Sequence, residues 1–167
     1  MSLVPLLVRA RRSRLAPVRR VALELLALYG IDWPGTVEVG PGLRLRHRAL
    51  GTVVHPHVRL GADVTVFHRV TLGQRTPWEP QAADHRPRVI VEDGAVLCAG
   101  AVVLGSPGRP TVVGRDTVVG ANAVLTRSTG VGEIWAGNPA RRIGRRDEAT
   151  TGSPPGRDRT GAPVPIG

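Results

Sequence analysis

The sequence predicts an all-β chain folded as a parallel β-helix, preceded by a short helical segment. Two periodicities and one shift in composition predict it. Aliphatic residues recur every six positions in three in-phase blocks: Val54, Leu60, Val66 and Leu72, then Val91, Leu97 and Val103, then Val113, Val119 and Leu125. A second small or branched residue follows many of them four places later, at Val58, Val64, Val70, Ala95, Ala101, Thr117 and Ala123. Across residues 31–143 the chain is rich in Val and Gly and has almost no helical periodicity.

A period of six fits neither a 3.6-residue helical turn nor one long strand. It suits short strands joined by tight corners, each turning one large aliphatic and one small residue inward. Three such strands close a coil of about 18 residues, and stacked coils bury a continuous aliphatic column. A β-sandwich of short strands would instead space its turn signals every 8–12 residues.

The elements follow in order. Residues 1–30 carry Leu15, Val18, Val21, Ala22, Leu25, Leu26 and Tyr29 at helical spacing, which predicts a helix ending at Gly30. Residues 31–143 form the β-helix, and its phase breaks three times. Three extra residues fall near Leu50-Gly51-Thr52. A longer interruption holds Gln74-Arg75-Thr76-Pro77-Trp78-Glu79-Pro80, and four extra residues surround Ser106-Pro107-Gly108-Arg109-Pro110. Each break predicts a loop leaving a coil corner, where such a scaffold carries its function. Residues 144–167 are rich in Thr, Gly, Pro and Arg with nothing to bury, and read as a disordered tail.

Composition bounds the function. A length of 167 residues suits one domain. The net charge of +10 invites a nucleic-acid reading, but every basic residue is Arg and aromatics make up 3% of the chain. Base-stacking platforms are therefore not expected, and neither is nucleic acid. A few of these arginines would serve the phosphates of a smaller polyanion equally well. No apolar run reaches membrane-spanning length; the longest, Val21 to Ile31, is interrupted by Glu24. Arginines follow rather than precede the first apolar patch, unlike a signal peptide, and the single Cys98 allows no intrachain disulfide. Both predict a cytoplasmic location.

Four stretches carry a family resemblance: Gly40-Pro41-Gly42-Leu43-Arg44-Leu45-Arg46-His47, Val53-Val54-His55-Pro56, Val70-Thr71-Leu72-Gly73, and Ala136-Gly137-Asn138-Pro139-Ala140-Arg141. Over residues 31–143 the chain resembles the hexapeptide-repeat acyltransferases, and among them the serine acetyltransferases of short-chain type. The resemblance implies a left-handed β-helix, a homotrimer with active sites between subunits, acetyl-CoA as co-substrate and a small hydroxyl-bearing acceptor. It implies no metal.

Moving an acetyl group from a thioester to an alcohol needs a base for the hydroxyl proton, and imidazole titrates near neutral pH. A carboxylate on its far nitrogen would fix the tautomer and steady the imidazolium. The resemblance puts that base at His47 and the carboxylate at Asp32, and a separation of 15 residues in coils of about 18 lets neighbouring coils bring them together. His47 holds the third position of its repeat and should face away from the core. His68 holds the same position one coil on and could line the acceptor site. His85 and Arg86 are acceptor-side candidates in swapped order, since the family carries Arg-His-Pro where this chain has His85-Arg86-Pro87. Arg46 stands where the serine enzymes have Asp, which favours an acceptor bearing a carboxylate or phosphate, or a neutral one. For the pantetheine arm the resemblance implies the small residues Gly73, Ala99 and Ala121, with Arg127 and Arg141 as phosphate partners.

Other readings stay open. Cys98 could carry an acyl group, but its repeat position is normally small and packed, so direct transfer is expected. A trimeric zinc site of the carbonic anhydrase type would need three histidines from His47, His55, His57, His68 and His85, and no His follows 85. His55 and His57 read as coil-surface residues. A sugar or secondary-metabolite acceptor, or a non-catalytic β-helical scaffold, completes the alternatives.

Overall fold

The computed structural model describes residues 3–78, 86–106 and 108–146. Helices α1 (Val4–Ala10) and α2 (Ala16–Leu28) open the chain. α2 is the helix expected to end at Gly30, and α1 is a second one ahead of it. Pro17 sits in the first turn of α2, where its missing N–H costs nothing. Gly30, at φ +64°, closes the segment just beyond α2.

Three strands per coil then wind around a triangular prism. The first coil holds β1 (Glu38–Val39), β2 (Arg44–Leu45) and β3 (Val53–Val54), and the second β4 (Val58–Leu60), β5 (Thr65–Val66) and β6 (Thr71–Gln74). The third holds β7 (Val89–Val91), β8 (Val96–Leu97) and β9 (Val102–Gly105), and the fourth β10 (Thr111–Val113), β11 (Val118–Val119) and β12 (Val124–Leu125). Strands β13 (Glu133–Ala136) and β14 (Arg141–Arg145) finish the chain. The three faces are β1-β4-β7-β10, β2-β5-β8-β11-β13-β14 and β3-β6-β9-β12. Every ladder is parallel except β13 with β14.

The six-residue repeat maps onto this prism residue for residue. All ten leading aliphatics and all seven residues four places after them are buried. Leu45, Val66, Leu97 and Val119 are successive partners up one face, and Val54, Leu72, Val103 and Leu125 up another. Register stays in phase across the sequence breaks because the extra residues leave at corners, as expected. At one such corner Gly105 admits no side chain, since a Cβ there would collide with the Arg88 carbonyl.

Both ends of the prism are closed. At the start, Val4, Leu7, Val8, Ala22 and Leu26 join the core beside Trp33 and Val37. The buried Arg11 guanidinium donates to the Pro34 carbonyl (2.7 Å) and the Val37 carbonyl (3.1 Å), and lies 5.8 Å from the Trp33 ring centre. Burial foremost, then Arg12, lowers its pKa to about 10. At the far end β14 folds back on β13. Glu133 accepts from the Trp135 indole N–H (2.8 Å) and the Gly130 N–H (2.7 Å), and the indole bond above all holds its carboxyl below the usual range. This pairing carries the fold past residue 143, through Arg145, so the expected boundary of the tail moves outward; residues 147–167 lie outside the described residues.

Candidate active site

One edge of the prism, between the β2-containing and β3-containing faces, stacks the corner residues of four coils. His47 follows β2, His68 follows β5, Ala99 follows β8 and Ala121 follows β11. Backbone bonds tie the stack together: the Gly100 N–H donates to the His68 carbonyl (3.0 Å) and the Asn122 N–H to the Ala99 carbonyl (2.9 Å). Two of the small residues assigned to the pantetheine arm therefore continue directly from the two histidines.

His47 sits on an unusual turn. His47 (φ 49°), Arg48 (φ 58°) and Ala49 (φ 50°) are three consecutive left-handed residues. Together with Arg69 (φ 58°), which follows His68, they are four of the seven non-glycine residues with positive φ among those described. Each such residue costs of order 1–3 kcal/mol, and this kind of strain clusters at functional sites. The turn presents His47 outward, as its repeat position predicts. Its ring lies 5.2 Å from that of His68, edge to face, and 5.8 Å from that of Phe67. The His68 Nδ1 is buried without a hydrogen-bond partner among the described residues. His47, Leu50, Gly51, His68 and Arg69 line an open depression of about 500 Å³.

Asp32 is not hydrogen-bonded to His47. Its N–H donates to the Thr52 carbonyl (3.0 Å), its own carbonyl accepts from Val54 N–H (2.8 Å), and it pairs with Val53 at the edge of the third face. The extra residues Leu50-Gly51-Thr52 separate that edge from the His47 turn. His47 stands against His68 and Phe67 and lines the depression with Arg69. Arg46 and the exposed Arg48 flank the imidazole in sequence. His85 lies outside the described residues, and Arg86 is exposed and leads into β7, on the face without His47.

Gly73 and Arg127 lie away from the histidine edge. Gly73 is in β6 opposite Leu104 of β9, and a Cβ there would come within 3.3 Å of Leu104 Cδ2. Beyond Leu104 a cleft of about 490 Å³ is lined by Arg75, Ser106, Arg109, Thr126 and Arg127 among others. Three guanidinium-bearing residues around one cleft make a site for polyanions. Arg75 and Arg109 were missed in the sequence. Their signal was that both follow a third-face strand at the same corner, with the Arg75 N–H reaching the Gly105 carbonyl (2.8 Å). Arg141 lies in β14, and its guanidinium donates to the Ala140 carbonyl (3.1 Å).

His55 and His57 form a second pair, 5.3 Å apart. The His57 N–H donates to His55 Nδ1 (3.1 Å), which fixes that nitrogen as an acceptor. Burial first, then His57 and Arg88, pushes the His55 pKa below 6.5. The fold thus favours neutral His55, so its stabilising effect is complete above the unfolded pKa and lost as pH falls. Thermal denaturation between pH 7.5 and 5 should show a steeper loss of stability in wild type than in His55→Gln. Burial likewise raises the Cys98 thiol pKa, opposite to the shift a nucleophilic cysteine needs. Among the described residues no group of three or more His, Cys, Asp or Glu is arranged to hold a metal ion. None of their helices is long and apolar enough to cross a membrane.

The three-faced prism with its repeat-built core is a parallel β-helix, left-handed like those of the serine acetyltransferase structures it matches. Solved structures agree: a Brucella abortus serine acetyltransferase matches 85% of this chain and 54% of its own at TM-score 0.65 and 26% identity. The same enzyme in complex with coenzyme A matches at TM-score 0.65 and 26% identity, over 85% of this chain and 53% of its own. No family model matches the chain. Among relatives, a serine acetyltransferase of Helicobacter pylori is 32% identical over 124 residues, 73% of this chain and 67% of its own length. One of Mycobacterium tuberculosis is 32% identical over 126 residues, 75% of this chain and 50% of its own. The chain belongs to the serine acetyltransferase family. It spans about half the length, or less, of several of the relatives it matches.

Proposed function

We propose that this chain is an acetyl-CoA-dependent O-acetyltransferase acting on the hydroxyl of a small acceptor, L-serine or a serine-like compound. The observation that carries the reading is His47: a histidine held outward on a left-handed turn, over an open depression, at the foot of a stack of small residues. Family membership and the coenzyme A complex of the Brucella abortus relative support the choice of acyl donor.

In this reading a ring nitrogen of His47 accepts the acceptor's hydroxyl proton as its oxygen attacks the acetyl carbonyl carbon. The C–S bond then breaks, and the CoA sulfur takes the proton back from the imidazolium. His68 and Phe67 hold the imidazole in orientation. Asp32 serves its far nitrogen in the substrate complex, since such bonds are often long before binding. Arg46, His68, His85 and Arg86 face the acceptor, and Gly73, Ala99 and Ala121 leave room for the pantetheine arm. Arg127 and Arg141 take the phosphates, with Arg75 and Arg109 added to them. The assembly is a homotrimer in the cytoplasm, each site completed by a neighbour. Leu50 and Val53, each 42% exposed beside the His47 turn, support such a covering.

Release of free thiol from acetyl-CoA, measured with L-serine, homoserine and a panel of sugars, tests the reading. Serine-dependent release upholds it, and release with sugars alone moves the acceptor while keeping the chemistry. No release and no CoA binding would leave a β-helical scaffold. Sedimentation should give three times the 17.7 kDa chain mass. Arg109→Gln and Arg127→Gln should each raise KM for acetyl-CoA by about 10-fold with kcat little changed, as loss of a charge-assisted contact to phosphate requires.

A further inference from the structure

The basic residues on the rungs of the prism fall into two groups. On the neighbouring rungs two are neutralised: Arg44 pairs with Asp63 (3.0 Å) and Arg59 with Glu38 (2.7 Å). At the His47 edge they are not. Arg46 and Arg48 flank His47 and Arg69 lines its depression. All three are exposed, and none of their guanidinium groups has a carboxylate or carbonyl partner among the described residues. The backbone is shaped to keep one of them there. Arg69 is held at φ 58° with its N–H on the Leu50 carbonyl (2.7 Å). Facing it, Gly51 at φ +68° has no Cβ, which would lie 3.3 Å from Arg69 Cγ. No acidic residue lines the depression with Arg69.

Exposed guanidinium groups with no acidic partner, beside the candidate base, offer charge-assisted hydrogen bonds to an anion. We propose that the acceptor is recognised through an anionic group, a carboxylate or a phosphate, and that its ammonium, if it has one, contributes nothing to binding. Arg46, Arg48 and Arg69 are the residues that read this charge. The proposal rests on acetyl transfer at His47, and it narrows the acceptor to hydroxy acids and hydroxyalkyl phosphates.

The test uses the full chain with acetyl-CoA and four acceptors. 3-Hydroxypropanoate carries a carboxylate without an ammonium, glycerol 3-phosphate a phosphate, L-serine both charges, and L-serine methyl ester the ammonium alone. The kcat/KM ratio of 3-hydroxypropanoate to the methyl ester should be about 100 or more, from the loss of two charge-assisted contacts. Glycerol 3-phosphate in place of 3-hydroxypropanoate separates a phosphate reader from a carboxylate reader. In Arg46→Asp and Arg69→Asp that ratio should fall by roughly 30-fold or more, and Arg69→Lys should restore much of it. A wild-type ratio near one, or a ratio unmoved by the Asp variants, overturns the proposal and makes these arginines solvated surface. If no acceptor is acetylated, the transferase reading fails by itself. Equilibrium titration of 3-hydroxypropanoate, glycerol 3-phosphate and the methyl ester then decides the charge question: binding of an anion that Arg69→Asp abolishes upholds it, and equal or absent binding overturns it.

Discussion

His47→Asn should lower kcat by about 10²–10⁴-fold, the usual contribution of a positioned general base. Asparagine is the informative replacement because residue 47 has φ 49°, a conformation that Asn tolerates far better than most residues. The turn then survives while the base is removed. Because the side chain is exposed, stability should move by no more than about 0.5 kcal/mol. KM for acetyl-CoA should change little, since the residue acts on the proton rather than on the cofactor. Steady-state thiol release with the best acceptor, alongside thermal denaturation, checks both. Activity within a few fold of wild type would remove His47 from the role of base.

Leu97→Ala should destabilise the chain by about 3–5 kcal/mol. Leu97 has no exposed surface and stands mid-column, with Val66 and Val119 as its partners on either side. A cavity there cannot be filled by sliding one coil, because each coil is hydrogen-bonded to both neighbours in register. Denaturant unfolding would read the loss. Val96, next to it on β8, turns its side chain the other way and is only half-buried, so Val96→Ala should cost less than about 1.5 kcal/mol. Equal losses at the two positions would mean that the alternation of the strand does not decide burial.

The prism was legible because its code is local and repeated. Every leading aliphatic and every small residue four places on is buried, and the corner insertions sit where the phase slips. The outward direction of His47 and its adjacency to His68 followed from the same count. The left-handed turn at residues 47–49 did not, since nothing in Arg-His-Arg-Ala advertises positive φ in the way a glycine does. The link between Asp32 and His47 rests on coil length and the family resemblance; Asp32 pairs through its backbone with Val53, just past the three inserted residues. The cleft of Arg75, Arg109 and Arg127 was half seen. It gathers residues from two different insertions, and sequence spacing says little about how two loops meet. Helix α1 was not legible, because the helical spacing begins only at Leu15, next to the start of α2.

The closed ends of the prism have a consequence for how the molecule keeps to itself. A stack of parallel strands is a template that could add further strands, from another copy, without limit. Here the terminal rung is occupied on all three faces. β14 runs antiparallel along β13. Ser128 and Thr129 bond the edge of β10 through the N–H groups of Val112 and Gly114 and the carbonyl of Val112. Gly137 and Ala140 bond the edge of β12 through Val124. At the opposite end Asp32 covers β3, and Arg11 consumes the Pro34 and Val37 carbonyls ahead of β1. Among the described residues, the antiparallel reversal and the buried guanidinium take up backbone groups that a further strand would otherwise pair with, as protected sheet edges do.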